Sequence, residues 1–416
     1  MATLELILYL VTSLVLMRAV QFYSARMELG YLALPCVLIL SCAFYFIAMP
    51  VSALTSGNGN FMGLVIAAPL NMLVMLWLYL IGAFFGIGLG STFGPIGGYL
   101  FFQPALKSEA LMWLVAVVGI LYLMSQGSLQ LLGAEFSYAN QGQGSQLLFI
   151  LQALNLIMPL TLIVVIRRRF DRLSIILVVF TIYVLVIAGF RYRIVIMLLS
   201  LATAFLFISG RKVSLLLLVP SGIAFFFLMV FFGATRKYGA GIDLENIDGL
   251  DIFAMAGSFG AEMGVALATA YIAENPPSPL YYFDPWIIGF ARLVPSFLWP
   301  DKPEPTYLSY IVGGTDVVGA ETMGIAFAQP GEFLLQFGFA GVLIISAIYF
   351  FIGSRLSSIG RNSGSEYGFA IYALCPAFFG YYMVSRGYFF QILADGLFTF
   401  GAPLLLMHLS RRHQKP

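Results

Sequence analysis

The sequence predicts an all-α, polytopic integral membrane protein. The chain of 416 residues is 61% hydrophobic and only 10% charged, with a mean hydropathy of +0.95, far outside the range of soluble globular proteins. Its apolar residues occur in runs of about 20, the length that a helix needs to cross the hydrocarbon core. A spanning helix satisfies its backbone polar groups internally, so each run predicts a helix. Residues 1–416 are therefore treated as one integral unit.

Eleven apolar runs are long enough to span a bilayer. The first eight lie within residues 1–233, and the last three lie within residues 336–416 ahead of a short polar tail. In chain order the predicted spans are 4–23, 30–53, 62–89, 109–127, 147–166, 173–190, 194–209, 213–233, 336–354, 367–385 and 388–407.

A polar interval, residues 234–335, separates these two groups of spans. It holds 12 of the 19 acidic residues together with a proline-rich run, and its most apolar stretch is 252–273. We expect it to form one large loop on a single face of the membrane, containing amphipathic or re-entrant helices. Because long apolar spans flank it on both sides, this loop is where we expect chemistry.

The basic residues orient the chain, because cytoplasmic loops concentrate Lys and Arg. The strongest cluster is Arg167, Arg168, Arg169 and Arg172, and with that loop in the cytoplasm alternation places 14 of the 21 basic residues on the same side. The N-terminus and the 234–335 loop then face outward, as toward a periplasm, and the C-terminus faces the cytoplasm.

Seven basic residues fall on the outer face against this bias. They are Arg191, Arg193, Arg236, Lys237, Arg292, Lys302 and Arg386. A guanidinium holds phosphate oxygens in a bidentate fork, so several together can neutralise a lipid diphosphate at headgroup depth. We predict that Arg191, Arg236 and Arg386 form one such cradle. The alternative is that these side chains snorkel to ordinary lipid phosphates or pair with carboxylates of the loop.

One acid interrupts the apolar stretch of the loop. Glu262 lies among small and apolar residues, where a carboxylate can serve as a general base. The alternative is a helix-surface Glu that pairs with a neighbouring Arg. Asp301, Glu321 and Glu332 are rivals for the role of base.

Histidine is excluded from that role by position. His408 and His413, the only two in the chain, fall at the inner end of the last span and in the tail. Any base on the outer face is then Glu, Asp or Tyr. Asp395 is an acid in the middle of the last span, which indicates either a functional role or hydrogen bonding to a nearby Tyr or Ser.

Five short motifs between about residues 187 and 390 resemble a known family. They are Gly189-Phe190-Arg191, Thr235-Arg236-Lys237-Tyr238-Gly239, Ala261-Glu262, Val294-Pro295-Ser296-Phe297-Leu298-Trp299-Pro300-Asp301-Lys302-Pro303 and Ser385-Arg386-Gly387. In these motifs the chain is similar to the Wzy-type oligosaccharide repeat-unit polymerases, which include the polymerases of O-antigen and of enterobacterial common antigen. The first 180 residues match that family only in hydropathy and in an outward N-terminus.

The resemblance implies a membrane glycosyltransferase of GT-C-like architecture in the bacterial inner membrane. Such polymerases join undecaprenyl-diphosphate-linked oligosaccharides at the periplasmic face, in pathways such as lipopolysaccharide biosynthesis. A hydroxyl of one unit attacks the anomeric carbon of the growing chain, and undecaprenyl diphosphate leaves. No metal, other cofactor or nucleic acid is expected. The implied partners are the lipid-linked donor and acceptor, membrane lipid, and a chain-length regulator and flippase of the same pathway.

The resemblance also implies roles for individual residues. Glu262 becomes the base, and Arg191 and Arg386 the catalytic cations. The implied diphosphate ligands are Arg191, Arg193, Arg236, Lys237, Arg292 and Arg386. The implied sugar contacts are Tyr238, Trp299, Asp301 and Glu332. Loop aromatics such as Tyr281, Tyr282 and Trp286 either stack on sugars or form an interfacial belt.

Two other functions stay open at this point. An O-antigen ligase would differ in its acceptor, but the ligases use an outer-loop histidine that this chain lacks. A glycolipid transporter or flippase belongs to a different class. Against it stand the missing internal repeats and the placement of the outer-face basic residues at an interface instead of the midplane.

Overall fold

A computed structural model shows a predominantly helical chain, which confirms the all-α prediction in the part of the chain that it describes. The described residues are 2–51, 60–61, 64–65, 70–93, 106–125, 154–187, 191–211, 220, 227, 236–237, 241–242, 262–294, 298–299, 301, 327–387 and 389–412. Two antiparallel ladders of two-residue strands, β1 (Asn60–Phe61) with β2 (Leu64–Val65) and β3 (Arg236–Lys237) with β4 (Gly241–Ile242), are the strands of this part.

The helices are numbered in chain order. They are α1 (Ala2–Arg26), α2 (Leu34–Ala43), α3 (Leu70–Thr92), α4 (Ser108–Ser125), α5 (Ile157–Arg168), α6 (Arg172–Ile187), α7 (Arg191–Ser209), α8 (Glu262–Glu274), α9 (Asp284–Leu293), α10 (Gln329–Asn362), α11 (Glu366–Cys375) and α12 (Phe389–Arg412). Wider π-helical turns extend α2 through Phe44–Ala48 and α11 through Pro376–Tyr382.

Among the described residues, seven helical segments are long and apolar enough to cross a membrane. They are Leu6–Arg26, Leu34–Val51, Leu70–Thr92, Tyr192–Ser209, Gln329–Asn362, Glu366–Ser385 and Gln391–Leu409. Three shorter apolar helices accompany them, at Ser108–Leu123, Arg172–Val186 and Gly264–Glu274. The chain is thus a membrane-embedded helical protein. The predicted span 213–233 lies almost entirely outside the described residues.

Two predicted spans begin at different residues in the structure, and a third is described only in part. Predicted span 62–89 is shorter, because β2 occupies Leu64–Val65 and α3 begins at Leu70. Of predicted span 147–166, residues 154–166 are described, as a 3-10 turn at Leu154–Leu156 followed by α5, and residues 147–153 lie outside the described residues. Predicted span 336–354 is longer, because α10 already begins at Gln329. The first two turns of α10 lie within the predicted loop 234–335, yet Gln329 and Glu332 are buried inside the protein, as is Gln336, where the predicted span begins.

The chain divides into two compact units. Unit 1 comprises residues 1–92, 251–353 and 379–393, and unit 2 comprises residues 93–250, 354–378 and 394–416.

In unit 1, small residues bring α3 and α10 into backbone contact. A Cβ added at Gly82 would meet the Leu343 carbonyl and Ser346 Oγ, and one added at Gly86 would meet the Ala347 carbonyl. Gly82 and Gly86 are four residues apart, which is the small-xxx-small spacing of closely packed membrane helices. A different side of α3 exposes large apolar residues such as Ile81 and Phe85, as expected for a lipid-facing surface.

In unit 2, α5 is the central helix. Its residues 157–166 are all buried, and it packs against α4, α6, α7 and α11. A tight turn through Arg169 and Phe170, both at positive φ, leads directly into α6. Asp171 caps that helix by accepting the Ser174 backbone N–H, and hydrogen bonds from Arg168 and Ser174 lower the pKa of Asp171 to about 2.

Candidate functional site

The site in unit 1 begins with a break in α10. Residues 329–336, called the half-helix, precede the non-helical Phe337 (φ −134°, ψ 16°) and Gly338 (φ +67°, ψ −161°). Glycine tolerates this backbone because it has no Cβ. The carbonyls of Leu335 and Gln336 accept hydrogen bonds from the backbone N–H groups of Tyr281 and Tyr282, each at 3.0 Å. The loop before α9 therefore satisfies the groups that the break exposes.

The half-helix carries a row of polar side chains. Gln329, Glu332 and Gln336, called the polar row, are spaced by three and four residues and so lie on one helical face. All three are fully buried. Tyr79 of α3 donates its hydroxyl to Gln329 Oε1 at 3.1 Å, and Trp286 of α9 donates its indole N–H to Gln336 Oε1 at 3.0 Å.

Glu332 binds the start of the last helix. Its Oε1 accepts the backbone N–H of Phe389, the first residue of α12, at 2.9 Å. A helix N-terminus leaves such N–H groups without intrahelical partners, and a carboxylate there is favoured by the helix dipole. The residue therefore fixes where α12 begins.

Arg386 lies just before that helix. Residues 385–387, called the link, connect the end of the α11 segment to α12. The Arg386 backbone N–H donates to the Tyr382 carbonyl at 3.0 Å, and its Nη1 donates to the Ser385 carbonyl at 2.8 Å. The side chain is half-buried. Glu332 thus contacts Phe389, which lies three residues after Arg386 in the chain.

The link contacts the segment just before the half-helix. A Cβ at Gly387 would lie 2.9 Å from the Ala328 carbonyl oxygen and 2.7 Å from the Phe327 ring, so this close approach needs glycine. On another side, the Ala328 backbone N–H donates to Thr269 Oγ1 of α8 at 2.7 Å. Helix α8 begins at Glu262. Ala328 therefore joins the helix of Glu262, the half-helix and the link.

Aromatic rings pack around the beginning of α12. The Trp286 indole stacks on the Phe389 ring, with centroids 5.5 Å apart and planes 23° apart. Phe290 and Tyr349 also contact Phe389, at 6.1 Å and 6.5 Å between centroids. Trp286 was predicted either to stack on a sugar or to form part of an interfacial belt. In the structure its indole stacks on Phe389 and donates to Gln336.

Part of the polar row retains hydrogen-bonding capacity. Among the described residues, the side-chain N–H₂ groups of Gln329 and Gln336 and the hydroxyl of Tyr349 are buried without a partner. An unsatisfied buried donor costs about 1–3 kcal/mol, so such groups are expected to bind water or ligand oxygens.

A second polar cluster lies within unit 2. Arg193 of α7 is 1% exposed, and its Nη2 lies 3.8 Å from Oδ1 of Asp395, which is 2% exposed. Asn155 donates to Asp395 Oδ1 at 2.5 Å, and the Tyr192 hydroxyl donates to Asp395 Oδ2 at 3.3 Å. The hydrogen bond from a tyrosine is one of the two alternatives that the sequence leaves for Asp395. Arg193, predicted to bind a diphosphate, has a carboxylate partner inside the protein.

The remaining predicted residues have fewer described features. Trp299 and Asp301 are exposed in the loop after α9. Glu262, Arg191 and Arg292 occupy positions within α8, α7 and α9, and Arg236 and Lys237 form β3, but their side chains lie outside the description. Tyr238, Lys302 and Glu321 lie outside it altogether. The cradle of Arg191, Arg236 and Arg386 stays a prediction.

Gln329 and Gln336 were not predicted as site residues. The signal for them is present in Gln329-Pro-Gly-Glu332-Phe-Leu-Leu-Gln336, where three long polar side chains recur at helical spacing in an apolar run.

These features define the class of the protein, a membrane-embedded, polytopic α-helical protein with a buried polar site beside a broken helix. No family model, curated protein or solved structure matches the chain.

Proposed function

We propose that this protein is a metal-independent glycosyltransferase that polymerises undecaprenyl-diphosphate-linked oligosaccharide repeat units, as the Wzy-type polymerases do. The proposal includes about 11 spans, a GT-C-like architecture and an outward site at the periplasmic face of a bacterial inner membrane. The product is a surface polysaccharide of the O-antigen or common-antigen kind.

One observation carries most of the proposal. The structure joins the helix of Glu262, the buried Glu332 and the link of Arg386 through Ala328 and Phe389. Glu262 and Arg386 come from motifs that resemble the polymerase family, and they are 124 positions apart in the sequence. The helix of the proposed base and the link of the proposed cation thus both contact Ala328, and displacement of a diphosphate uses a base and a cation.

The proposed step is a displacement at the anomeric carbon. The acceptor hydroxyl oxygen bonds to that carbon, the bond from the carbon to the diphosphate oxygen breaks, and the electron pair leaves with the diphosphate. Glu262 takes the hydroxyl proton. Arg386 stabilises the charge that develops on the leaving diphosphate, which a preorganised guanidinium can do in a water-poor site. Arg292 of α9 is a further candidate ligand.

Glu332 acts in this proposal as a positioning residue. It is fully buried and accepts the Phe389 N–H, so it sets the geometry of the link instead of touching the sugar. The spare donors of the polar row are available to bind water or a hydroxyl oxygen of the acceptor.

The test uses cells that make and flip a lipid-linked repeat unit but lack their own polymerase. Expression of this chain is expected to produce a ladder of polysaccharide lengths on a gel. A single added unit on the final acceptor indicates a ligase, and accumulation of flipped but unjoined units indicates a transporter. Either of these two outcomes contradicts the proposal.

A further inference from the structure

Helix α9 has two unlike faces. Phe283, Ile287 and Phe290, called the apolar stripe, are each 56% exposed, and their spacing of four and three residues places them on one side of the helix. Ile288 and Ala291, on the other side, are 4% and 2% exposed. Three further apolar or aromatic residues that precede or follow α9 in the chain are also exposed, namely Tyr282, Leu298 and Trp299.

The buried face holds α9 against the break in α10. Trp286 donates to Gln336, and the Tyr281 and Tyr282 backbone groups donate to the carbonyls at the break. The Phe283 ring also contacts the Phe337 ring edge-on, with centroids 5.1 Å apart. The orientation of the stripe is therefore fixed by contacts at the level of the break.

Helix α10 also has an exposed apolar line. Beyond the break it exposes Ile344, Ile348 and Ile352, one residue in every four, at 58%, 48% and 47%. Such an apolar line on a spanning helix is covered by acyl chains. Phe337, which lies at the break and seven residues before Ile344 in the chain, contacts Phe283 of the stripe.

We infer that α9 is an in-plane interfacial helix whose apolar stripe inserts into the acyl chains of bilayer lipid. The three stripe residues carry no charge, and the neighbouring Tyr282 and Trp299 are of the type enriched where hydrocarbon meets headgroups. The inference does not depend on the enzymatic proposal. Its consequence is that the break in α10, and Gln336 with it, lies near headgroup depth.

The test measures where the stripe lies in liposomes. Phe290→Cys in the full-length protein is labelled with an environment-sensitive fluorophore, and Ile287→Cys provides a second position. Asp301→Cys, at an exposed polar residue, is the matched control, and the unmodified protein measures background from the buried Cys36, Cys42 and Cys375.

The labels at positions 290 and 287 are expected to be quenched several-fold more strongly by lipids carrying a spin label high in the acyl chain than by aqueous iodide. The label at position 301 is expected to show the reverse. Quenching of the stripe labels by iodide alone would overturn the inference. Protection from both quenchers that depends on protein density would also overturn it, because a second copy would then cover the stripe.

Discussion

The two glutamates of the site differ in what their carboxylates do. Glu332 has a defined bond, because its Oε1 accepts the Phe389 N–H, and a glutamine oxygen can accept that same bond. Glu262, the predicted base, must take a proton, and glutamine does not. The same substitution of glutamate by glutamine at the two positions therefore distinguishes a general base from a positioning residue.

We expect Glu262→Gln to reduce the polymerisation rate by about 10²–10⁴-fold, the usual contribution of a general base. Glu332→Gln is expected to retain most activity, and Glu332→Leu to lose it, because leucine leaves the Phe389 N–H without its acceptor. Initial rates of lipid diphosphate release measure all three variants. Near-normal activity of Glu262→Gln would remove Glu262 from the mechanism, and strong loss in Glu332→Gln would make that carboxylate the better candidate for base.

Arg386 is predicted to make bidentate contacts with the leaving diphosphate. Arg386→Lys keeps the charge but removes the planar fork, so we expect turnover to fall by about tenfold or more, with protein level unchanged. Arg361→Lys is the matched control, because Arg361 is exposed near the end of α10 and lies on the predicted cytoplasmic side. Equal activity of the two lysine variants would indicate that a point charge at residue 386 suffices, as in ordinary contact with lipid headgroups.

The Arg193–Asp395 pair is predicted to stabilise the protein. Removing one member of a buried ion pair leaves an uncompensated charge, which costs about 3–5 kcal/mol. Arg193→Met and Asp395→Asn are therefore each expected to lower the thermal midpoint in detergent, and the double variant to lose less than the sum of the two. Asparagine is chosen because it keeps an oxygen to accept the Asn155 hydrogen bond. Strictly additive losses would show that the two side chains are not coupled.

At the scale of elements, the contact of α3 with α10 depends on glycine. Gly82→Ala raises helix propensity, which alone would stabilise an exposed helix by about 1 kcal/mol. The added Cβ instead meets the Leu343 carbonyl and Ser346 Oγ, so we expect a net loss of about 1–3 kcal/mol from overpacking.

Gly88→Ala is the control on the same helix, because a Cβ there meets no atom within 4 Å among the described residues. Thermal midpoints of the two purified variants make the comparison. A Gly82→Ala protein as stable as Gly88→Ala would contradict the packing of α3 on α10.

The spans that the sequence predicted best are those with uninterrupted apolar runs. Hydropathy located both ends of α1, α4 and α6 to within about three residues, because length and apolarity alone specify such helices. It missed the first two turns of α10, where Gln329 and Glu332 lie in the predicted loop ahead of the predicted span 336–354. These two side chains are hydrogen-bonded to Tyr79 and Phe389, and contacts with distant parts of the chain leave no trace in local hydropathy.

At the scale of the whole molecule, composition was enough to predict a membrane-embedded helical protein. It was not enough to predict the site, because Thr269 with Ala328 and Glu332 with Phe389 are pairs separated by 59 and 57 residues. The chemical type of the side chains nevertheless narrowed the set of candidate site residues. Glu332 and Arg386 were both singled out from the sequence, and the structure brings their elements together.

The proposed reaction needs this chain alone and no metal. The most direct measurement incubates the purified protein in liposomes with a synthetic undecaprenyl-diphosphate oligosaccharide, in the presence of EDTA, and resolves the products by length. The proposal predicts a ladder of products together with one undecaprenyl diphosphate released for each unit joined. An active preparation from which EDTA abolishes the ladder, or a correctly folded protein that moves the lipid across the bilayer without joining units, would contradict it.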